Sequence, residues 1–180
     1  VNILITGGAG FIGSHLMERL LKDRHHVICL DNFNDYYDPR IKRRNISGSI
    51  DKSGFKLFEG DIRDENVLNS ILSKIDIDAV IHLAAMAGIR ASMKAPLEFQ
   101  DVNIRGTMIL LEGMRRVGIK RLLFASSSSV YGDQRRIPFR EDDARDQAVS
   151  IYGATKRSCE AICYAYHSLY SMDITCLRYF

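Results

Sequence analysis

The first sixteen residues, Val1 to Leu16, constrain the fold of this chain more than any other segment. They read VNILITGGAGFIGSHL, an apolar run followed by four glycines and an apolar helical pattern. Gly8, Gly10 and Gly13 fit the spacing G-x-G-x-x-G, and Gly7 extends it to G-x-x-G-x-x-G. Between a strand and a helix, such glycines permit a tight turn, backbone approach to a pyrophosphate and close packing of helix on strand. The segment therefore predicts a strand, a glycine turn and a helix.

The start of this predicted helix offers a binding site for an anion. Backbone N–H groups at a helix N-terminus are unpaired and carry partial positive charge, so they bind phosphate without a basic side chain. The turn itself contains no Lys or Arg. A purely structural turn satisfies the same glycine pattern, so a dinucleotide site needs a second feature. The residues predicted to contact the dinucleotide here are Gly7, Gly10, Phe11, Ile12 and Gly13.

An acidic residue after the second predicted strand supplies that feature. His26 to Leu30 is a short apolar run, and Asp31 follows it, 18 residues after Gly13. The acid that binds a ribose 2′-hydroxyl lies about 20 residues beyond the glycines. A carboxylate repels a 2′-phosphate, and the following Asn32 and Phe33 supply no arginine to bind one. We therefore predict NAD rather than NADP as the cofactor, with Asp31 and Asn32 among its contacts.

Composition predicts one globular domain and excludes several classes of protein. With 46% hydrophobic and 26% charged residues, the chain suits a single α/β domain over residues 1–180. The excess of three basic residues is too small to indicate nucleic-acid binding, and we interpret the basic run Arg40 to Arg44 as a solvated face. No segment reaches the ~18 consecutive apolar residues of a membrane span, and the chain begins directly in a strand. We therefore expect a cytoplasmic protein without membrane attachment.

The four cysteines show no C-x-x-C spacing. Cys29 and Cys176 lie in predicted buried strands, and Cys159 and Cys163 lie four residues apart on a predicted helix. Two such ligands without a matching His or Cys pair make a poor zinc site. This pattern favours reduced core thiols over disulfides and predicts no metal site.

Short apolar runs alternate with helical patterns along the rest of the chain. Strands and helices of this length predict right-handed β–α–β units, and hence a Rossmann-type doubly wound parallel sheet with helices on both faces. Further strands are predicted over Phe55 to Glu59, Asp78 to Leu83, Arg121 to Ala125 and Asp173 to Phe180, and helices over Glu65 to Lys74, from Leu97 to Gly118 and from Ser150, with a loop and short helix between Asp31 and Phe55.

The candidate binding residues fall at the carboxyl ends of the predicted strands, where a doubly wound sheet binds its ligands. The glycine turn, Asp31, Asp61, Ala84 and the serines from Ser126 to Ser129 all follow a predicted strand. No local motif requires this agreement. It therefore supports a cofactor site at that edge of the sheet independently of the glycine pattern.

Other residues near that edge allow two interpretations. Asp61 and Ile62 are predicted adenine contacts, although Asp61 or Asp64 also suits a helix cap. His82 lies in a predicted buried strand and is interpreted as a hydrogen-bonded core histidine rather than a catalytic one. Asn103, which is polar among apolar helix positions, is a predicted cofactor contact. The backbone is also expected to approach the cofactor at Leu83, Ala84 and Ala85.

Tyr152 and Lys156 lie four residues apart, and therefore on one face of the last predicted helix. The ammonium of Lys156, helped by a cationic nicotinamide, is expected to lower the pKa of the Tyr152 phenol from about 10. Tyr152 then acts as a general base. A surface tyrosine beside a lysine has the same spacing by chance, but the glycine turn, Asp31 and the serine run favour the catalytic interpretation.

In these segments the sequence resembles the extended short-chain dehydrogenase/reductase family. Within it, DNFNDYYDPRIKRRN and HLAAMAGIRAS look most like the UDP-glucuronate 4-epimerases, with UDP-glucose/galactose 4-epimerases as the next relatives. The resemblance spans the whole chain and rests on TGGAGFIG, Asp31, GDIRD at Gly60 to Asp64, HLAA at His82 to Ala85, SSSSVYG at Ser126 to Gly132, and Tyr152-x-x-x-Lys156.

The resemblance implies roles for further residues. Ser127 occupies the catalytic Ser/Thr position, Ser128 lies on the substrate side, and Tyr179 lies near the nicotinamide. Arg90 is an available cation for a uronate carboxylate, with a surface arginine as the alternative. Dehydratase relatives carry Asp-Glu directly after the catalytic Ser/Thr, and decarboxylase relatives carry Glu two places after it. Here Ser128 and Ser129 stand in those places, which favours redox cycling at one carbon over elimination.

The resemblance thus implies NAD-dependent epimerisation at C4 of a UDP-sugar, with UDP-glucuronate and UDP-galacturonate as the expected pair, by a homodimer. A UDP-glucose/galactose epimerase, a net NAD-dependent oxidoreductase and a non-catalytic NAD-binding protein remain alternatives. It also implies a C-terminal substrate-binding portion after Phe180, absent from this sequence. We therefore expect the 180 residues to bind NAD, while their activity without that portion stays open.

Overall fold

The fold is built on one parallel sheet. The structure is a computed structural model that describes residues 1–143 and 147–180. The sheet order is β3-β2-β1-β4-β5-β6, and each neighbouring pair is parallel. This order reverses direction between β1 and β4 and confirms the predicted Rossmann-type fold. The strands are β1 (Asn2–Thr6), β2 (His26–Asp31), β3 (Phe55–Glu59), β4 (Ala79–His82), β5 (Arg121–Ser127) and β6 (Asp173–Tyr179).

Seven α-helices are found in the described part of the chain, and they cover both faces of the sheet. Ile3 and Ile5 of β1 pack in one apolar cluster with residues of the first two helices, whereas Leu4 packs in a second cluster on the opposite face. Burial on both faces explains the continuous apolar runs of the inner strands β1, β2 and β4, whereas the edge strands β3 and β6 are only partly buried. The helices are α1 (Phe11–Lys22), α2 (Pro39–Ser47), α3 (Glu65–Leu72), α4 (Ile89–Lys94), α5 (Pro96–Gln100), α6 (Gly106–Val117) and α7 (Ile151–Tyr170).

Most of the helices start or stop at residues whose side chains or backbone suit that position. The side chain of Asp64 accepts hydrogen bonds from two backbone N–H groups of α3, and the hydroxyl of Ser150 accepts one from Gly153 in α7. Gly118 ends α6 in a left-handed conformation with φ of 81°. At α1 the preceding residue, Gly10, provides no side-chain cap.

The helix predicted from Leu97 to Gly118 is interrupted. The structure has α5, then a π-helical segment at Asp101–Arg105, and then α6. The π-helical segment buries Asn103, whose carbonyl accepts a hydrogen bond from the Thr107 hydroxyl. The apolar pattern continues through all three segments, so it could not distinguish them.

The strand β5 is two residues longer than predicted. Ser126 and Ser127 continue the ladder and pair with Arg178 and Tyr179 of β6. The extension brings the serine run to the same edge as the glycine turn. It is followed by a 3₁₀ turn at Ser128–Tyr131, and another 3₁₀ turn lies at Glu141–Asp143.

The four cysteines are free, and Cys29, Cys159 and Cys163 are buried. Cys176, which the sequence predicts to lie in a buried strand, is only partly buried because β6 is at the edge of the sheet. Among the described residues, no helix has both the length and the apolar character needed to cross a membrane. In the same part of the chain, no cluster of three or more His, Cys, Asp or Glu side chains is arranged to hold a metal ion.

Candidate active site

A cavity of about 620 Å³ runs along the carboxyl edge of the sheet. This volume lies within the range of about 300–1,000 Å³ that is usual for small-molecule sites. Every strand contributes to the cavity wall, either with its last residues or with those that follow it. These residues include Gly7 after β1, Asp31 in β2, Gly60 after β3, Leu83 after β4, Ser127 in β5 and Tyr179 in β6.

The glycine turn forms the middle of the cavity wall. Gly7 has φ of +71°, and a Cβ atom there would lie 2.6 Å from the backbone nitrogen of Ala84. Only glycine therefore fits at this position. Phe11, Ile12 and Gly13 of the first turn of α1 line the cavity, and this turn has neither a side-chain cap nor an acidic residue. The unpaired N–H groups at this helix start fit a bound pyrophosphate.

Asp31 lies buried at one side of the turn. Its Oδ2 accepts a hydrogen bond of 3.1 Å from Ala9 N, and its Oδ1 accepts one of 2.9 Å from Phe33 N. Because a carboxylate has about four acceptor positions, lone pairs remain for sugar hydroxyls. The two backbone bonds hold the carboxylate in place at the cavity wall.

Lys42 is a cavity residue that the sequence interpretation missed. Its ammonium donates a 2.7 Å hydrogen bond to Asn34 Oδ1 and lies 3.6 Å from Asp31 Oδ1. The prediction of a solvated basic run is therefore wrong for Lys42, which is buried, whereas Arg43 is exposed and pairs with Glu59. Lys42 lies one helical turn before the apolar Ile46, and this spacing could have indicated a shared buried face.

The two roles predicted for the carboxylates after β3, an adenine contact and a helix cap, belong to different residues. Asp64 is the cap of α3, while Asp61 lines the cavity and accepts hydrogen bonds from Asn32 Nδ2 at 2.9 Å and Arg63 Nη2 at 2.8 Å. The hydrogen bond from Arg63 lowers the pKa of Asp61 to about 2 despite partial burial. Asp61 is therefore ionised and held by two neighbours, beside Ile62.

Ser127, Tyr152 and Lys156 meet at the other side of the glycine turn, where the first turns of α7 pass the end of β5. Lys156 is buried and donates a 2.7 Å hydrogen bond to the carbonyl of Ala125. Burial lowers the pKa of Lys156 to about 8. The hydroxyl of Ser127 accepts a hydrogen bond from Ser129 N at 3.1 Å. The three polar side chains therefore line one part of the cavity wall.

The pKa of Tyr152 differs in direction from the sequence-based expectation. Burial raises the pKa of the phenol, and a hydrogen bond with Ser127 lowers it only in part. The ammonium of Lys156 is bonded to the Ala125 carbonyl. Without bound NAD, the cost of burying the phenolate is therefore greater than the effect of Ser127, and the pKa is not lowered. The lowering expected from Lys156 together with a cationic nicotinamide stays a prediction.

Comparison with known proteins identifies the family. Residues 4–180 match the GDP-mannose 4,6 dehydratase family. The chain belongs to this family. The UDP-glucuronate 4-epimerase of Thermodesulfobacterium geofontis is 45% identical over 177 residues, which cover 98% of this chain and 54% of that relative. UDP-glucuronate 4-epimerase 4 of Arabidopsis thaliana is 41% identical over 181 residues, which cover 100% of this chain and 41% of that relative.

A solved structure of a similar enzyme has the same architecture. The crystal structure of UDP-glucuronic acid 4-epimerase from Bacillus cereus, in complex with UDP-glucuronic acid and NAD, has a TM-score of 0.92 and 37% sequence identity. The similarity covers 100% of this chain and 56% of that chain. This GDP-mannose 4,6 dehydratase family member thus spans about half the length of the relatives it matches. The findings confirm the resemblance to extended short-chain dehydrogenase/reductases that modify nucleotide sugars.

Three predicted site residues in this family member do not line the cavity. The amide of Asn103 is buried and bonded to the backbone of Met86 and to the Thr155 hydroxyl, so it holds α7 and the loop after β4 together. Ser128 begins the 3₁₀ turn after β5, and Arg90 is exposed in α4; neither is among the cavity residues. The structure therefore does not bring these three side chains to the other predicted residues.

His82 has the core role that the sequence predicts. Its Nδ1 lies 2.6 Å from Thr6 Oγ1, and its Nε2 lies 3.0 Å from Thr107 Oγ1. Burial lowers the pKa of His82 to about 3. The ring is therefore neutral and bonded to its two neighbours in the core.

The polar segment after β2 contributes more to the cavity than the sequence indicated. Its first residues lie in the loop between β2 and α2, where neither apolar periodicity nor a glycine pattern gives a signal, and the others lie in the short, mostly polar helix α2. Beyond the predicted Asn32, the cavity residues of this segment include Asn34, Tyr36, Tyr37, Lys42, Arg44 and Asn45.

Proposed function

We propose that the complete protein interconverts UDP-glucuronate and UDP-galacturonate by NAD-dependent epimerisation at C4. The observation that carries the proposal is that Ser127, Tyr152 and Lys156 line the same cavity as the glycine turn and Asp31. Relatives named UDP-glucuronate 4-epimerase support the reaction and the sugar. A UDP-glucose substrate is the second candidate, since UDP-glucose 4-epimerases share this fold at 32% identity.

The residues of the cavity fit NAD. The uncapped start of α1, with Phe11 and Ile12, suits the pyrophosphate. The remaining acceptor positions of Asp31 suit the adenine ribose, and Asp61 and Ile62 lie beside the space for adenine. Leu83, Ala84 and Ala85 line the cavity after β4, and Tyr179, which pairs with Ser127 in the sheet, also lines it. These residues would hold the cofactor.

Bound NAD would supply a group that accepts a hydride from sugar C4 and returns it to the opposite face of the sugar, and it would also place a positive charge beside Tyr152. In this proposal, the phenolate of Tyr152 takes the proton of the 4-hydroxyl and later gives it back. The Ser127 hydroxyl donates a hydrogen bond to the same sugar oxygen. The buried ammonium of Lys156 adds positive potential that favours the phenolate, because little water screens it there.

The cavity supports epimerisation rather than the elimination that the family name describes. Loss of water from the sugar needs an acid and a base beside the reacting carbons. Among the described cavity residues, the carboxylates are Asp31, which ends β2, and Asp61, which follows β3; both strands lie on the far side of β1 from Ser127. Residues Ser128 and Ser129, which follow Ser127, carry no carboxylate.

The test is to incubate the full-length protein with UDP-glucuronate and separate the products. We expect UDP-galacturonate with no net change in the absorbance of reduced nicotinamide. Accumulating NADH would indicate a net oxidoreductase, and conversion of UDP-glucose alone would favour the second candidate. NAD binding without turnover of any UDP-sugar would leave only a cofactor-binding protein, and a decarboxylated sugar would also contradict the proposal.

Tyr152→Phe separates chemistry from binding. The variant should lose turnover while it still binds NAD, because only the proton-transferring hydroxyl is removed. Tyr164→Phe is the matched control, since Tyr164 is exposed on α7 and should turn over like the wild type. Full turnover of the Tyr152 variant would contradict the assigned role. The homodimer, the cytoplasmic location and the contact of Arg90 with a uronate stay predictions.

A further inference from the structure

A hydrogen bond crosses above the glycine turn. The hydroxyl of Tyr36, in the loop of residues 32–38 after β2, donates a 2.5 Å hydrogen bond to the carbonyl of Ala87, in the loop after β4. In the sheet, β1 lies between β2 and β4. A bond from the loop after β2 to the loop after β4 must therefore pass over the carboxyl end of β1. That end is where the glycine turn begins, and both bonded residues line the cavity.

The structure leaves room for this contact. Gly88 has φ of +111°, and a Cβ atom there would lie 3.1 Å from the Tyr36 hydroxyl oxygen. Since carbon and oxygen atoms at that distance are in tight contact, glycine next to Ala87 allows the phenol to reach the carbonyl. The position combines a backbone conformation suited to glycine with close approach of another side chain.

The loop that carries Tyr36 is held at its base by side-chain hydrogen bonds and at its exposed tip by the bond to Ala87. At the base, Asn32 donates to Asp61 at 2.9 Å, and Lys42 donates to Asn34 at 2.7 Å. Tyr36 itself is 47% exposed. Its hydrogen bond can therefore break and form again without unfolding of the core, which is the behaviour of a mobile closure.

We propose that the hydrogen bond from Tyr36 to Ala87 is a clasp that closes over the dinucleotide and limits the rates at which it enters and leaves. The inference rests on the proposed function, because NAD is the occupant. An epimerase must return to the sugar the hydride that it removed. If the reduced cofactor left before that step, the 4-keto sugar could not be reduced and the reaction would stop there. Tyr36 is a positioning residue in this scheme, since its hydroxyl is bonded to the backbone of Ala87 and acts by holding the cavity closed.

The test uses Tyr36→Phe in the chain as it stands, with NADH as a fluorescent probe and excess NAD as the competitor. The substitution keeps the ring and removes the one hydroxyl that bridges the two loops. Since a hydrogen bond contributes modestly to stability, we expect release and association rates to rise together by about two- to tenfold. The dissociation constant should change by less than about twofold, because a closure that forms with and without ligand affects both rates.

Other outcomes would overturn the clasp. Unchanged rates would mean that the bond does not limit cofactor exchange, and a rise in the release rate alone would make Tyr36 an ordinary contact. If the wild-type chain binds neither NAD nor NADH, the proposed cofactor fails and the clasp with it. Tyr164→Phe, an exposed tyrosine on α7, is the control and should exchange NADH at the wild-type rates. The wild type, Tyr36→Phe and Tyr164→Phe should have equal melting temperatures, which shows that the rates are compared between equally folded proteins.

Discussion

Replacing Gly13 with alanine should force α1 away from the glycine turn. A Cβ atom there would lie 2.6 Å from Gly7 O, 2.7 Å from Gly8 Cα and 2.8 Å from Gly8 O. All three atoms belong to the backbone, so no side chain can swing aside. Carbon atoms in contact normally stay about 3.5–4.0 Å apart, and the helix must therefore move by about 1 Å.

The cost of this movement can be estimated from overpacking in protein cores. Inserted methyl groups cost about 1–3 kcal/mol, and three simultaneous backbone clashes place Gly13→Ala near the upper value. The better helix propensity of alanine offsets about 1 kcal/mol. The net loss of about 2 kcal/mol in the free energy of unfolding should lower the melting temperature by about 4–8 °C. NAD affinity should fall at least about tenfold, since the N–H groups of α1 that are proposed to bind the pyrophosphate move with the helix.

Gly48→Ala is the matched control for this experiment. Gly48 ends α2 with φ of −72°, and no atom lies within 4 Å of its added Cβ. This variant should be as stable as the wild type or more stable by about 0.4–1 kcal/mol. Thermal unfolding followed by circular dichroism gives the stabilities, and calorimetric titration gives the NAD affinity. If Gly13→Ala unfolds at the temperature of Gly48→Ala and binds NAD like the wild type, the packing argument is refuted.

Three further predictions concern charged groups. Asp31→Asn should weaken NAD binding by about tenfold or more and reduce the preference for NAD over NADP, because it removes the charge proposed to bond the ribose and repel a 2′-phosphate. Titration with both cofactors checks this, and an unchanged ratio of the two affinities would contradict it. Burial lowers the pKa of Lys156 to about 8, so from that pH to about 10.4 the unfolded chain binds more protons and the free energy of unfolding rises with pH. Urea unfolding of the wild type and of Lys156→Met at several pH values measures this rise, and we expect the free energy of unfolding of the wild type to increase by about 3 kcal/mol relative to the variant. If the free energies of the two proteins change in parallel with pH, the lowered pKa of Lys156 is refuted. Glu160→Gln should lower the free energy of unfolding by about 3–5 kcal/mol, because Glu160 and Arg178 form an ion pair with only 10% and 17% of their side chains exposed. Glu59→Gln breaks an ion pair whose side chains are both more than half exposed, and it should lower the free energy of unfolding by at most about 1 kcal/mol. Similar urea midpoints for the two variants would contradict this difference.

Residues with a local physical signal were the ones that the sequence placed correctly. The glycine pattern from Gly7 to Gly13 predicted a turn, because only glycine permits the positive φ of Gly7 and the close backbone contacts at Gly7 and Gly13. Asp31 followed an apolar strand at the spacing of a ribose-binding acid and does line the cavity. The strand boundaries agreed within two residues at their carboxyl ends, because buried parallel strands have short, continuous apolar runs.

Residues whose position depends on partners far along the chain were placed incorrectly or missed. Asn103 had a polar identity that suggested a ligand, but its partners are Met86 and Thr155, which no spacing within its own helix indicates. Tyr36 reaches Ala87, 51 residues later. The pKa direction of Tyr152 likewise depended on how deeply α7 is buried against β5.

By itself, the sequence determined the alternation of strands and helices, the glycine turn and the set of polar residues at strand ends. These depend on periodicity, conformational freedom and short-range spacing, all of which are properties of neighbouring residues. The tertiary structure alone decided which polar groups satisfy one another and which remain open to a ligand. It joined the loops after β2 and β4 above the end of β1, because the order of strands in the sheet, rather than their order in the chain, determines which loops meet.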